Sequence, residues 1–196
     1  MNRSILLGMT TGAAVMLGFG IVWLLVGLLL GGPSPVWLRL SLLFTGIVLG
    51  SSIATLGLRA SRLSRDTVPL TAEQVATKRA MGRRIGMVSG IETTAIALAL
   101  VVLNVVRYPG YISCAIAVIV GVHFFALTPL FRAPAYLVTG FLGCAIALVG
   151  VFVADAVLRQ KVVGLSFGLL LWATAAWVAW KGLSAVPRVA SNLPPT

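Results

Sequence analysis

Charged side chains are scarce in this sequence. They make up 10% of the 196 residues, and only four residues are acidic, whereas hydrophobic residues make up 59% and the mean hydropathy is +1.06. Soluble domains carry about 25% charged residues, so this composition excludes an ordinary soluble globular domain. It predicts an integral membrane protein instead.

Histidine and cysteine are almost as rare, with one histidine and two cysteines. A single histidine excludes a bis-histidine haem within one chain. Cys114 and Cys144 form no C-x-x-C pair, so we expect both to be small apolar fillers and expect no metal site. Phosphate-binding loops, H-E-x-x-H and G-x-G-x-x-G are also missing. The sequence therefore predicts no cofactor and no catalytic residue, and an enzyme is the less favoured class.

Long apolar stretches are what the sequence has in abundance. Each is close to the roughly 20 residues needed to cross a hydrocarbon core of about 30 Å. We therefore expect one all-α domain over residues 1–196, an integral membrane bundle of six transmembrane helices. The predicted spans are 5–31, 36–58, 86–106, 111–131, 135–157 and 163–180.

The net charge of +11 is unevenly distributed. Seven of the fifteen basic residues lie in the link 59–85, between the second and third spans. Basic residues remain on the cytoplasmic side, so this link and both termini are predicted to be cytoplasmic, with eleven basic residues inside and four outside. The expected location is the cell inner (plasma) membrane, as a multi-pass protein. Because topology accounts for the charge, we expect no nucleic-acid partner.

The basic link is predicted to be amphipathic and partly helical. Residues 61–69 read as irregular chain, and Thr71 is a plausible N-cap for a helix that starts at Ala72 and enters the third span. On this helix Arg79, Arg83 and Arg84 are expected to contact anionic lipid headgroups at the cytoplasmic face.

Small residues recur at close spacing in three spans. The pairs are Gly8 and Gly12 in the first span, Gly46 and Gly50 in the second, and Gly140 and Gly143 in the fifth. Such residues let helix backbones approach closely in lipid. They predict packing within the bundle or, alternatively, a homo-oligomer seam on the second span. No three-plus-three repeat is found, so a hairpin followed by a four-helix unit describes the chain better.

Two ionisable side chains lie deep in the predicted spans. Glu92 and His123 come from adjacent antiparallel spans, roughly 9 Å and 12 Å from the inner surface. Ser89 and Thr93 give the third span a polar stripe beside Glu92. An unpaired charge in lipid costs at least about 2.5–3.5 kcal/mol, so Glu92 is predicted to face the bundle interior, paired with His123. The pair either handles protons or ions, or simply ties two helices together.

A third acidic residue is expected nearer the outer surface. Asp155 precedes Arg159 by four residues at the end of the fifth predicted span. This is the helical spacing of an ion pair, so we expect the two side chains to form an interfacial pair.

The segment Val120 to Leu127, with the sequence V-G-V-H-F-F-A-L, resembles a V-G-x-H-F-F-x-L stretch in small bacterial multi-span membrane proteins of unknown function. The resemblance implies a bacterial membrane protein and supplies no activity. Two functions remain open. One is a small transport or channel-like protein that uses Glu92 and His123. The alternative is a non-catalytic membrane interaction, assembly or immunity subunit.

Overall fold

The structure, a computed structural model, describes residues 3–29, 32, 35–63, 72–131 and 133–190. Helices and short turns account for all of this chain, and no strand occurs in these ranges. The all-α class is therefore confirmed. The helices are α1 (Arg3–Leu29), α2 (Val36–Leu63), α3 (Ala72–Val105), α4 (Ile112–Phe131), α5 (Pro134–Val151) and α6 (Ala156–Ala190), with a 3-10 turn at Pro109–Tyr111 before α4.

Five helical segments among the described residues are long and apolar enough to cross a membrane. They belong to α1, α3, α4 with its preceding turn, α5 and α6. The sixth predicted span, on α2, is represented by a shorter apolar segment, Val36–Ser52. The structure thus supports a membrane protein built from several apolar helices of spanning length.

The basic link is more helical than predicted. Residues 61–63 continue α2 rather than forming irregular chain, and residues 64–70 lie outside the described part. Helix α3 begins at Ala72, as the sequence predicts, and continues unbroken to Val105. The predicted cap, Thr71, is also outside the described residues.

The boundary between the fifth and sixth spans is corrected by the structure. α5 ends at Val151 and α6 begins at Ala156, so the predicted limits of 157 and 163 are wrong. The Asp155 carboxylate accepts a 2.6 Å hydrogen bond from the backbone N–H of Leu158. Asp155 therefore caps α6 and starts a new helix instead of ending the old one.

The helices are arranged as an arc in the order α2, α1, α6, α5, α4 and α3. Each helix packs mainly on its neighbours in this order, and α1 with α6 form the most extensive contact. The predicted division into a hairpin and a separate four-helix unit is therefore wrong. α1 belongs to the centre of the molecule.

Glycines on both helices explain the tight contact between α1 and α6. A Cβ added at Gly164 would lie 2.6 Å from the Cα of Gly27, and one added at Gly20 would lie 2.5 Å from the Trp172 ring. The two backbones thus touch where neither residue has a side chain, the packing that small residues permit in lipid.

The buried core runs along α6. Val163, Phe167, Leu171 and Ala175 recur every four residues on one face and are at most 1% exposed. α6 therefore carries the main apolar stripe of the arc. At one end of the arc, by contrast, none of the residues in the apolar segment Arg79–Val105 of α3 is buried. Among the described residues, α3 packs mainly on α4 and the turn before it.

Candidate functional site

Glu92 of α3 and His123 of α4 lie in contact. The His123 Nδ1 and Glu92 Oε2 atoms are 3.1 Å apart, and the two side chains are only 12% and 19% exposed, respectively. The antiparallel arrangement of α3 and α4 brings the two groups to the same depth, as expected from the sequence. The structure therefore joins the only acidic residue and the only histidine found in the middle of the apolar helices.

The contact has the length of an ion pair but lacks the direction of a hydrogen bond. No atom among the described residues stands in hydrogen-bonding geometry to the buried Nδ1 of His123. The ring packs edge to face against Phe124, with centroids 6.1 Å apart, which restrains its rotation. A small rotation of the carboxylate would complete a hydrogen bond across which one proton can be shared.

The pair lies at a two-helix contact and not in the interior of the bundle. α3 is at the end of the arc, so Glu92 faces α4 alone. Glu92 thus faces a neighbouring helix, with His123 as its partner, at the edge of the described bundle. One helix contact is enough to shield both groups, because each remains largely covered.

The polar side chains that were predicted to form one stripe on α3 point in two different directions. Thr93 is exposed, and its hydroxyl donates to the Ser89 carbonyl at 2.9 Å, a bond within α3 itself. Thr94 likewise donates to the Gly90 carbonyl at 2.9 Å. The Thr93 hydroxyl is thus engaged along its own helix, and the contact to His123 is made by Glu92.

The three predicted headgroup-binding arginines are exposed. Arg79, Arg83 and Arg84 lie in the first half of α3, before its continuous apolar run. They are free of tight packing and lie at one end of a helix that is long enough to cross a membrane. This position is compatible with contact to lipid phosphates.

The predicted pair between Asp155 and Arg159 does not form. The Asp155 carboxylate caps α6, as described above, and the Arg159 side chain points the other way. Residues four apart form side-chain pairs only inside a helix, and Asp155 precedes the first helical residue.

Arg159 is instead a buried cation that binds backbone carbonyls. It is 4% exposed, and its guanidinium donates to the carbonyl of Gly150 in the last turn of α5 and to those of Val153 and Ala154 just after it, at 2.6–3.3 Å. It also donates to the Gly110 carbonyl at 3.2 Å and stacks 3.9 Å from the Tyr111 ring centroid. The last carbonyls of a helix lack partners within the helix, and a cation there is favourable. Arg159 thus links α5, α6 and the turn before α4.

A second feature of α3 was not recognised from the sequence. Gly82, Gly86, Gly90 and Thr94 are four residues apart and exposed, on the side of α3 that faces away from α4. A Cβ added at any of the three glycines would meet no other described part of the chain within 4 Å. We call these four residues the α3 stripe. Their spacing is visible in the sequence, but the sequence does not show that this side of the helix lacks a neighbour.

The described residues contain no group of three or more histidine, cysteine or acidic side chains that could hold a metal ion. No protein-family model, curated protein or solved structure matches this chain.

Proposed function

We propose that this protein is a non-catalytic membrane assembly subunit, and that the α3 stripe packs against the same stripe of a second copy. The observation that carries the proposal is the open face of α3. Most of the described glycines on α1, α4, α5 and α6 contact neighbouring helices. On α3, by contrast, Gly82, Gly86 and Gly90 all lack a neighbour within 4 Å in the described chain, a property that they share with Gly18 of α1.

An unused glycine stripe is unfavourable for the isolated chain. Each glycine inside a helix costs roughly 0.5–1 kcal/mol relative to alanine. Three such residues bring no packing gain within the described chain to offset this cost. Close packing of a second helix supplies the missing van der Waals contacts, and this is how small residues drive helix association in lipid.

A second copy is the simplest occupant because a stripe of this kind is self-complementary. Two-fold symmetric contacts use the same patch on both partners. Exposed apolar side chains of Met87 and Ile91, at 67% and 65% exposure, lie beside the stripe and can pack around the partner helix. Helices joined by such stripes cross at about −40°, which separates their ends and hence the two sets of α3 arginines.

The proposal includes a location and an orientation. The inner membrane, with both termini and residues 59–85 in the cytoplasm, follows from the distribution of basic residues. In this orientation Arg79, Arg83 and Arg84 lie at the cytoplasmic headgroups. Gly82 to Thr94 then lies in about the cytoplasmic half of the apolar segment Arg79–Val105.

Substitution of one glycine on the stripe tests the proposal. Gly86→Leu places a large side chain on the stripe, and Gly18→Leu does the same at an exposed glycine of α1 that also has no neighbour within 4 Å. We expect the wild type and Gly18→Leu to be dimeric by light scattering in mild detergent, and Gly86→Leu to be monomeric. A monomeric wild type, or equal masses for all three proteins, would refute the proposal.

A second candidate function is proton or ion handling by Glu92 and His123. It is favoured by their 3.1 Å contact within apolar helices, because intramembrane ionisable groups are rare and commonly functional. This candidate predicts that the protein dissipates an imposed proton gradient in liposomes that contain a pH-sensitive dye. Glu92→Gln would abolish the flux and Thr93→Val would leave it unchanged. Equal fluxes for the wild type and Glu92→Gln would exclude this role.

A further inference from the structure

α3 is joined to the rest of the described chain mainly through α4. It lies at one end of the arc, and none of the residues in its apolar segment Arg79–Val105 is buried. Lipid tails are as apolar as the side chains of this segment, so apolar surface alone gives α3 little preference for α4 over lipid. The position of α3 therefore depends on its polar contacts with α4.

Glu92 and His123 provide a polar contact between the two helices. Thr93 and Asn104, by comparison, use their side chains for hydrogen bonds to carbonyls of α3 itself. The Glu92 carboxylate lies 3.1 Å from the Nδ1 atom of His123, and the imidazole also lies near the backbone carbonyl of Val88. His123 of α4 thus meets α3 at two points that are one helical turn apart.

The number of protons on the pair sets its net charge. One proton shared between the carboxylate and the imidazole leaves the pair neutral, either as an ion pair or as two neutral groups. A second proton produces an imidazolium beside a neutral carboxyl group, with one uncompensated positive charge. Both side chains are largely covered, at 12% and 19% exposure, so this charge has little water around it and is costly in lipid.

The groups around the pair do not offset this positive charge. The described cations on α3, on α6 and at the turn before α4 carry the same sign: Arg79, Arg83, Arg84, Arg107, Arg159, Lys161 and Lys181. The described phenols and thiols on the turn, α4 and α5 are neutral at acidic pH: Tyr108, Tyr111, Cys114, Tyr136 and Cys144. The Asp155 carboxylate caps α6 near that turn, whereas His123 lies roughly 16 Å along α4 from its first residue.

We propose that binding of a second proton to Glu92 and His123 releases α3 from α4, which makes this helix contact a pH-sensitive device. The proton comes from water, and release lets water or lipid headgroups reach the imidazolium. Movement of α3 is inexpensive because lipid can cover the apolar surface that α4 loses. The inference concerns the position of a helix and not a proton flux, so it does not depend on either function proposed above.

Distances between pairs of spin labels test the proposal. With Cys114 and Cys144 replaced by alanine, nitroxides are attached at Leu98→Cys of α3 and Leu169→Cys of α6, where the native side chains are 62% and 49% exposed. The labelled protein is diluted with unlabelled protein in phosphatidylcholine nanodiscs, so that only distances within one chain are measured. We expect a second, shifted distance to grow at least about tenfold from about pH 8 to about pH 4, because the second proton places an unpaired charge in lipid.

Two controls separate release of α3 from a general effect of acid. Labels at Phe19→Cys of α1 and Leu148→Cys of α5, both exposed positions, should keep one distance over the same range, since these helices belong to the remaining bundle. In the Glu92→Gln and His123→Gln double variant both side chains are neutral amides at every pH, so the α3–α6 distance should not respond. His123→Gln alone cannot carry a positive charge, and it serves the same purpose if the double variant fails to fold.

An α3–α6 distance in the wild type that does not change with pH would overturn the proposal. So would the reverse response, with α3 released at the higher pH. An equal response of the variants that lack His123, or of the labels on α1 and α5, would also overturn it, because the change would then arise elsewhere in the protein.

Discussion

Arg107 occupies a backbone conformation that glycine usually supplies. Its φ of 61° lies in the left-handed region, directly after α3. The Tyr108 N–H donates to the Leu103 carbonyl at 2.8 Å and the Arg107 N–H donates to the Asn104 carbonyl at 3.1 Å. These two bonds form a Schellman motif, in which the left-handed residue ends the helix.

Arg107→Gly is therefore expected to stabilise the protein by about 0.5–1 kcal/mol, because glycine adopts this conformation without steric cost. Arg107→Val should destabilise it, since a β-branched side chain is strained at positive φ. Thermal unfolding in detergent, followed by circular dichroism, measures both. A lower Tm for Arg107→Gly than for Arg107→Val would contradict this account of the turn.

Glu92 and His123 are expected to behave as one unit in stability measurements. Glu92→Gln and His123→Gln each strand a polar partner at the α3–α4 contact, a cost that is not incurred twice. The double variant should therefore be about 1 kcal/mol more stable than the sum of the single effects, in the range found for polar contacts in membrane proteins. Additive effects in this double-mutant cycle would show that the 3.1 Å contact contributes no coupling.

The juxtaposition of Glu92 and His123 could be anticipated from the sequence, whereas the partners of Arg159 could not. A charge in lipid needs a partner, and only one histidine was available at the right depth. Arg159 binds backbone carbonyls, which every residue has, so no sequence pattern identifies them. The four-residue spacing of Asp155 and Arg159 is compatible both with an ion pair and with a helix cap at Asp155. The structure shows the cap.

Substitution of Arg159 should destabilise the protein more than is usual for a residue near the end of a helix. Arg159→Met would remove the side-chain donors to the part-buried carbonyls of Val153 and Ala154 and one of the donors to the Gly150 carbonyl, at a cost of about 1–3 kcal/mol. Arg159→Lys keeps the charge but not the planar set of donors, so an intermediate loss is expected. A lysine variant as stable as the wild type would show that charge alone is sufficient.

At the scale of helices, glycine positions decide which elements touch. The G-x-x-x-G spacing of Gly164 and Gly168 marks α6 as a packing helix, and the structure places Gly20 and Gly27 of α1 against it. Spacing alone does not identify the partner helix. For this reason the sequence did not predict the central contact of α1 with α6. The two helices lie more than 100 residues apart in the chain.

The same argument predicts different effects on stability for two glycine-to-alanine substitutions. Gly164→Ala would place a Cβ 2.6 Å from the Gly27 Cα, so the backbones must separate, at a cost of about 1–3 kcal/mol. Gly18→Ala adds a methyl group in open space and should be neutral or slightly stabilising. Comparison of the two melting temperatures in one detergent measures the difference. A Gly164→Ala variant at least as stable as Gly18→Ala would contradict the close contact of α1 and α6.

At the scale of the whole molecule, the arc leaves its two end helices with unfilled faces. α2 borders an apolar groove of about 420 Å³ together with α1 and α6, and α3 exposes its stripe. Composition and apolar length were sufficient to predict the all-α class. The order of helices in the arc was not predictable, because it depends on contacts between residues far apart in the chain.

Orientation is tested with single cysteines on either side of the continuous apolar run of α3. Arg83 and Arg107 are exposed and lie 24 residues apart, or roughly 36 Å along the helix. With Cys114 and Cys144 replaced by alanine, a membrane-impermeant maleimide should label Arg107→Cys in intact cells. It should label Arg83→Cys only after permeabilisation. The reverse pattern would place residues 59–85 outside the cytoplasm.

Photo-crosslinking in native membranes tests the proposed assembly most directly. A benzoylphenylalanine at Gly90 lies on the α3 stripe, and one at Gly18 is the matched control at an open glycine of α1. We predict that illumination of the Gly90 variant gives one adduct with twice the 20.5 kDa mass of the chain, and that the Gly18 variant gives none. Lipid adducts alone at Gly90, or the same protein adduct at both positions, would contradict assembly through α3.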